Sequence, residues 1–338
     1  DLWPLTGGCH YPAGCAGYET DCTACPQLLD DRLGLPAAML AERVALWGDL
    51  GLTIVAPSRW IADCARRSML FRHCRIETIP NGLDTDILSP GDGGAFRRSL
   101  NIPVDAPLLA FGAHSLSDRR KGGDLLGPAL AAALERLPAG TAPHILCFGE
   151  NDLALTQPGV TVHQLRGIDE DDRLAEVLRA ADMLVLPSRE DNYPNIMIEA
   201  LACAVPVIGF DIGGIGEAVR DGRTGRLVPM DQGAAGLGEA IADLLADPAK
   251  ARALGQEGRR SVHPSHGLDG FAARMLALYE DLNPAFHAPV DPLISAALAE
   301  LDGIDTLDHP VRAWPLNRLG PHLDQLPRLR MLLDAMGR

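Results

Sequence analysis

The chain has 338 residues, 47% of them hydrophobic but only 4% aromatic, and a formal net charge of −15 at pH 7. That length accommodates about two domains. The apolar content is mainly Ala, Leu, Val and Ile, the usual lining of packed helices and buried parallel strands. The negative charge argues against a nucleic-acid backbone or an anionic membrane surface as partner, while leaving room for a local basic pocket. No apolar run approaches the roughly 20 residues that span a bilayer, and there is no signal peptide. The first residue is Asp1 rather than Met, so a processed or truncated product is expected.

Glycines, cysteines and prolines break every periodic pattern in residues 1–35, which read as loop. Residues 37–48 read as a helix stopped by Gly48 and Gly51. The apolar run Leu52 to Ala56 then predicts a strand. It ends at Pro57-Ser58, with Ser58 placed to cap a helix beginning near Trp60. Residues 76–90 read as an extended connector with a turn at Asn81-Gly82, and a domain boundary is expected within 80–105. Beyond it the pattern becomes regular. Apolar runs at 108–112, 144–149, 160–165, 183–187 and 205–210 alternate with helical segments at 122–136, 169–181, 194–203 and 213–219. Short strands apolar on both faces, separated by helices, predict a parallel sheet covered on both sides. Such a sheet binds ligands at the C-terminal ends of its strands. Gly127-Pro128 predicts a kink or restart in the first of these helices. Residues 231–282 read as two or three amphipathic helices, and 283–338 as a Pro- and Leu-rich tail of unassigned role with helical pieces at 293–301 and 322–336.

The most informative stretch is 183–220. A strand ends at Pro187-Ser188, an acidic loop follows (Arg189, Glu190, Asp191, Asn192), and a helix starts near Pro194 with Asn192 as a candidate N-cap. Free backbone N–H groups and the helix dipole at that start favour a phosphate. Asp191 and Glu199 beside such a cradle suit recognition of vicinal hydroxyls, because each carboxylate accepts hydrogen bonds. The alternative from spacing alone is a capped helix with Glu199 on a solvated face. Arg120 and Lys121, in the run Asp118 to Gly122, stand at another strand-to-helix turn. Read alone they are either a solvated surface or a phosphate site.

This stretch resembles the E-x7-E region of glycosyltransferase family 4, retaining enzymes of the GT-B fold. Here Asp191 stands seven residues before Glu199-Ala200-Leu201-Ala202-Cys203-Ala204-Val205-Pro206-Val207. Asp191 replaces the family's first Glu, Glu190 stands one place early, and Ala204 replaces the usual Gly. The form Glu190 to Asn195 also resembles a branch concerned with extracellular polysaccharide. Gly213 to Glu217, Asp221 to Val228 and Ile79 to Asp84 continue the family pattern, and the resemblance extends over roughly residues 1–282.

The resemblance implies an α/β fold of two Rossmann-like domains with parallel sheets. Residues 1–80 would be the C-terminal half of the acceptor-side domain, only partly present. Residues 81–282 would bind the nucleotide sugar. It further implies transfer, with retention, of a sugar from a UDP- or GDP-linked donor to a glycan or lipid-linked acceptor in polysaccharide synthesis. Glu199 would hold the ribose, and Asp191 with the amides of Asn192 and Tyr193 the donor sugar. Arg120 and Lys121, with the helix start at Pro194, would stabilise the departing diphosphate. Gly167 and Ile168 would lie near the base. No metal cofactor is then required, and Asp84-Thr85-Asp86 is set aside as a metal motif because it lies in the connector. The implied setting is the cytoplasm, with peripheral association at the inner membrane face for a lipid-linked acceptor. Asp1 to Tyr11 resembles the family's H-D-x-W-x-x-T-G-x-C pattern, whose His would precede Asp1, so the fragment alone is expected to be inactive. The rival readings are a non-catalytic nucleotide-sugar-binding relative or scaffold subunit, and a nucleotide-sugar epimerase on the same fold.

Eight cysteines remain. Cys64, Cys74, Cys147 and Cys203 read as buried reduced thiols. Cys9, Cys15, Cys22 and Cys25 crowd one loop, with a single C-x2-C pair. They suit a structural zinc, with His10 able to replace one thiolate. Two disulfides or four reduced thiols are the alternatives.

Overall fold

The computed structural model describes residues 1–168 and 170–283. The tail pieces expected at 293–301 and 322–336 lie outside the described residues. Residues Asp1–Arg274 form one compact unit.

Within it, helix α1 (Leu35–Trp47) precedes a small parallel sheet of β1 (Thr53–Ala56) and β2 (Arg75–Thr78), joined by helix α2 (Arg59–Arg67). Ser58 caps α2 as its position predicts, accepting the Ile61 amide at 3.1 Å. Leu2, Leu5, Tyr18, Ile61, Ala62, Leu70 and Phe71 make the core of this part. The segment 76–90, read as an extended connector, holds most of β2 in its first residues, a strand the sequence pattern did not reveal. Further along it, Asp84 accepts the amides of Asp86 and Ile87 at 2.9 and 3.1 Å, so the Asp84-Thr85-Asp86 run closes a turn.

After helix α3 (Gly94–Ser99), six parallel strands follow: β3 (Leu108–Gly112), β4 (His144–Phe148), β5 (Thr161–Leu165), β6 (Met183–Leu186), β7 (Val207–Phe210) and β8 (Gly225–Val228). Their order is β5-β4-β3-β6-β7-β8. The chain winds outward from β3 in one direction, returns, and winds outward from β6 in the other. This is the doubly wound order, whose reversal between β3 and β6 opens a crevice above the strand ends.

Strand alternation explains why two layers of helices form. Leu108, Ala110, Leu146, Leu184, Leu186 and Val207 face α5 (Asp171–Ala180) and α6 (Asn195–Ala202). Leu109, Phe111, Ile145, Met183, Val185 and Ile208 face α4 (Leu126–Leu134) and α8 (Gly233–Ala246). Each fully buried aliphatic side chain contributes about 1.5–3 kcal/mol relative to exposure. Helix α7 (Ile215–Ala218) follows β7. Helices α9 (Pro248–His266) and α10 (Leu268–Leu282) complete the described chain. The expected interruption at Gly127-Pro128 is a restart: a short 3-10 turn, Gly123–Leu125, gives way to α4 at Leu126, which puts Pro128 in the first turn. Among the described residues no helix is long and apolar enough to cross a membrane.

Candidate functional site

A cavity of about 630 Å³ lies above the C-terminal ends of the central strands. Gly112, Ala113 and His114 line it from the end of β3, and Gly149 and Glu150 from the end of β4. Gly167 and Ile168 line it beyond β5, and Pro194, Asn195, Ile196 and Glu199 from the start of α6. Lys121 enters from the 3-10 turn Arg119–Lys121 after β3. Lys121, Gly167, Ile168, Pro194 and Glu199, five of the residues singled out from sequence, therefore meet in one place. A second cavity of similar volume lies at the opposite, N-terminal strand ends, lined by Pro107, Ala181 and Pro206, away from these groups.

Two glycines fix the loop between β6 and α6. Gly122 has φ +71°, and a Cβ there would stand 1.9 Å from the carbonyl oxygen of Pro187. Gly213 has φ +54°, and a Cβ there would stand 1.7 Å from the carbonyl oxygen of Asp191. Both the left-handed backbone and the close approach require glycine.

Asp191 is buried and does not line the cavity. Its Oδ2 lies 2.6 Å from Lys121 Nζ and 3.5 Å from Arg120 Nη1, and accepts from the Ser188 hydroxyl at 3.3 Å. Its Oδ1 accepts the Asn192 amide at 3.1 Å. Arg120 is held aside from the cavity, donating to the Glu190 carbonyl at 3.0 Å and to Asp118 at 3.1 Å. Its guanidinium lies 4.3 Å from the centre of the Tyr11 ring. Of the two basic residues, Lys121 alone lines the cavity. With Asp118 also paired to Arg120, the two cations are balanced by two carboxylates, and Lys121 is the one whose ammonium borders the cavity beside the first turn of α6.

One sequence expectation needs correction. Asn192 is not the cap of α6: Pro194 holds that position without a side-chain bond, and the Asn192 side chain instead accepts the Ser58 hydroxyl at 2.5 Å. The Asn192 amide is occupied by Asp191. The Tyr193 side chain turns into the core, where its hydroxyl meets His266 Nε2 at 2.8 Å and the two rings stack. The acidic loop is thus held from outside by the N-terminal part of the chain. The Ala13 amide donates to Glu190 Oε2 at 3.0 Å, the Tyr11 hydroxyl reaches Asp191 Oδ1 at 3.4 Å, and Ser58 holds Asn192. Sequence spacing carries no signal for these pairings, because the partners are more than a hundred residues apart.

His114 stands at the end of β3, on the cavity rim, 3.4 Å from Glu150. Burial raises the Glu199 carboxyl to a pKa of about 7, with the nearby charge of Asp171 adding to it. Burial likewise raises Glu190, and it pushes the Tyr11 hydroxyl up to about 12 with the Asp191 charge adding to it.

In the N-terminal loop, Cys9, Cys15, Cys22 and Cys25 line one cavity of about 420 Å³. His10 is not among its walls and pairs with Asp1 at 2.9 Å. Among the described residues, no group of three or more His, Cys, Asp or Glu side chains is already arranged to hold a metal ion. Cys64, Cys147 and Cys203 are buried, whereas Cys74 is half-buried.

Residues 107–247, the whole six-stranded part, match the family described as Glycosyl transferases group 1. The chain is 29% identical over 280 residues to a D-inositol 3-phosphate glycosyltransferase of Rhodococcus opacus, covering 72% of this chain and 62% of that protein. It is 31% identical over 229 residues to an alpha-maltose-1-phosphate synthase of Mycolicibacterium smegmatis, covering 62% of this chain and 57% of the relative. The chain thus spans about 40–60% of the length of the curated relatives it matches. Among solved structures, sucrose-phosphate synthase from Thermosynechococcus elongatus superposes with a TM-score of 0.61 at 26% identity, covering 77% of this chain and 65% of that one. Anabaena HepE in complex with UDP-glucose superposes at 0.58 with 18% identity, over 72% and 68% of the two chains, a likeness of fold. Residues 107–247 are thus similar to group 1 glycosyltransferases, and the chain shares the α/β parallel-sheet architecture of the GT-B enzymes.

Proposed function

We propose that the cavity above β3 and β6 binds a nucleoside-diphosphate sugar, and that the whole protein transfers the sugar with retention to a glycan or lipid-linked acceptor in polysaccharide assembly. The observation that carries this reading is the meeting of Lys121, the first turn of α6 and Glu199 in one cavity at the sheet's reversal point. Lys121 and the α6 start offer positive potential to a diphosphate. Glu199 offers a carboxylate to ribose hydroxyls, and the backbone of Gly167 and Ile168 borders the space left for a base. As the bond to the sugar breaks, negative charge grows on the diphosphate, and Lys121 stabilises it once its ammonium turns from Asp191 toward the phosphates. Arg120 holds the acidic loop and keeps Asp191 paired. Asp191 then acts on the donor sugar only if the diphosphate draws Lys121 away from it. Residues 1–80 supply part of the acceptor side in this reading.

The relatives, a D-inositol 3-phosphate glycosyltransferase and an alpha-maltose-1-phosphate synthase, support a sugar-transferring role. Calorimetry with UDP and GDP, with and without EDTA, tests the reading. Binding that persists in EDTA and is lost in Lys121→Ala is expected. Absence of binding by either nucleotide, or binding abolished by EDTA, contradicts it.

A further inference from the structure

We propose that Cys9, Cys15, Cys22 and Cys25 form a structural zinc site that holds the N-terminal loop against the acidic loop of the large sheet. Four thiols of the N-terminal loop line a single cavity of about 420 Å³. The backbone is aimed at two of the sulfurs: the Gly17 amide donates to Cys15 Sγ at 3.2 Å and the Gly7 amide to Cys22 Sγ at 3.3 Å. Outer-sphere donors of this kind orient metal ligands. Zinc takes four thiolates in a tetrahedron at about 2.3 Å, so binding must draw the sulfurs to about 4 Å of one another by side-chain rotation. Binding releases the four thiol protons to solvent.

The loop needs such a cross-link. Between Asp1 and Gly34 its regular structure is limited to the 3-10 turns Trp3–Leu5 and Gly17–Glu19. Ala13, Cys22 and Ala24 all hold positive φ, at 51°, 55° and 53°, which costs on the order of 1 kcal/mol or more each for a residue with a Cβ. Leu2, Leu5 and Tyr18 anchor the first half of the loop in the core, but Leu28, Leu29 and Leu33 are exposed, so apolar burial does little to offset the ordering of its second half. Yet the same loop delivers Tyr11 to Asp191 and the Ala13 amide to Glu190. A metal cross-link supplies the rigidity those contacts need, whatever ligand the cavity above β3 takes.

Elemental analysis of the intact protein, purified without a metal-affinity tag, tests the site. One zinc per chain is expected, and the Cys22→Ser, Cys25→Ser double variant should retain less than a fifth of it. Because that variant can fail to fold, the unaltered protein is also stripped with chelator and refilled with cobalt. Four-thiolate ligation then gives intense near-ultraviolet charge-transfer absorption, and the melting temperature lost on stripping returns. Zinc far below one per chain with all four thiols titrating freely overturns the proposal. So does an intact mass showing two disulfides, or a cobalt-loaded spectrum without the thiolate band.

Discussion

Glu199 shows what burial does to a single carboxyl. Its folded-state value of about 7 stands above the ordinary 4.5. Between those values the folded protein holds a proton that the unfolded chain has lost. Stability associated with this group is therefore complete below about pH 4.5 and is lost as pH rises through about 7. Ribose hydroxyls donate to the ionised form, so nucleotide affinity runs the other way and weakens as pH falls below about 7. Glu199→Gln should remove both slopes and reduce UDP or GDP affinity about ten- to a hundredfold at pH 8, as expected for a lost charged hydrogen bond of about 1.5–3 kcal/mol. Calorimetric titration and urea melts across pH 5–8 check this, and parallel pH slopes in both proteins would contradict it. The sequence made Glu199 visible because it sits at a fixed spacing on a helix. The fate of Asp191 was hidden, because its partners Lys121 and Tyr11 arrive from other elements.

At the scale of elements, the end of α6 explains a departure seen in the sequence. Ala204 stands where the family pattern has Gly, and its φ is +60°. The Val205 amide donates to the Ala200 carbonyl at 2.9 Å and the Ala204 amide to the Leu201 carbonyl at 3.0 Å. This is the paired closure of a helix through a left-handed residue, a position that favours glycine. Ala204→Gly should therefore stabilise the protein by about 1 kcal/mol, less the entropy that glycine gains in the unfolded chain. Thermal and urea melts would read it, and a lowered midpoint would refute the argument. The legibility of strands follows similar physics. β3, β6 and β7 are buried along their whole length and stand out as apolar runs. β2, Arg-Ile-Glu-Thr, and β8, Gly-Arg-Leu-Val, are only partly buried, so their composition reads as connector.

Across the whole described unit, the small and large sheets are fastened at one point by Glu217. Its two carboxylate oxygens accept the amides of Arg59 at 2.9 Å and Trp60 at 2.8 Å. These are the first free N–H groups of α2, where the helix dipole favours an anion. The Arg59 side chain adds a longer contact at 3.4 Å. Beside it, the Ser58 hydroxyl reaches Asn192, whose own carbonyl accepts the Gly214 amide at 2.6 Å. One cluster thus joins the α2 cap, the acidic loop and the start of α7. The motif containing Glu217 could be recognised in the sequence, but not this task, since its partners lie 157 and 158 residues away. Glu217→Ala leaves two helix-terminal amides without their acceptor and should destabilise the unit by about 1–2 kcal/mol, the usual range for a lost cap. Glu217→Gln keeps one good acceptor and should fall between. At about 2–4 °C per kcal/mol for a domain approaching this size, the alanine variant melts several degrees lower. Differential scanning calorimetry reads the order, and an unchanged alanine variant would show that the two sheets are held together elsewhere.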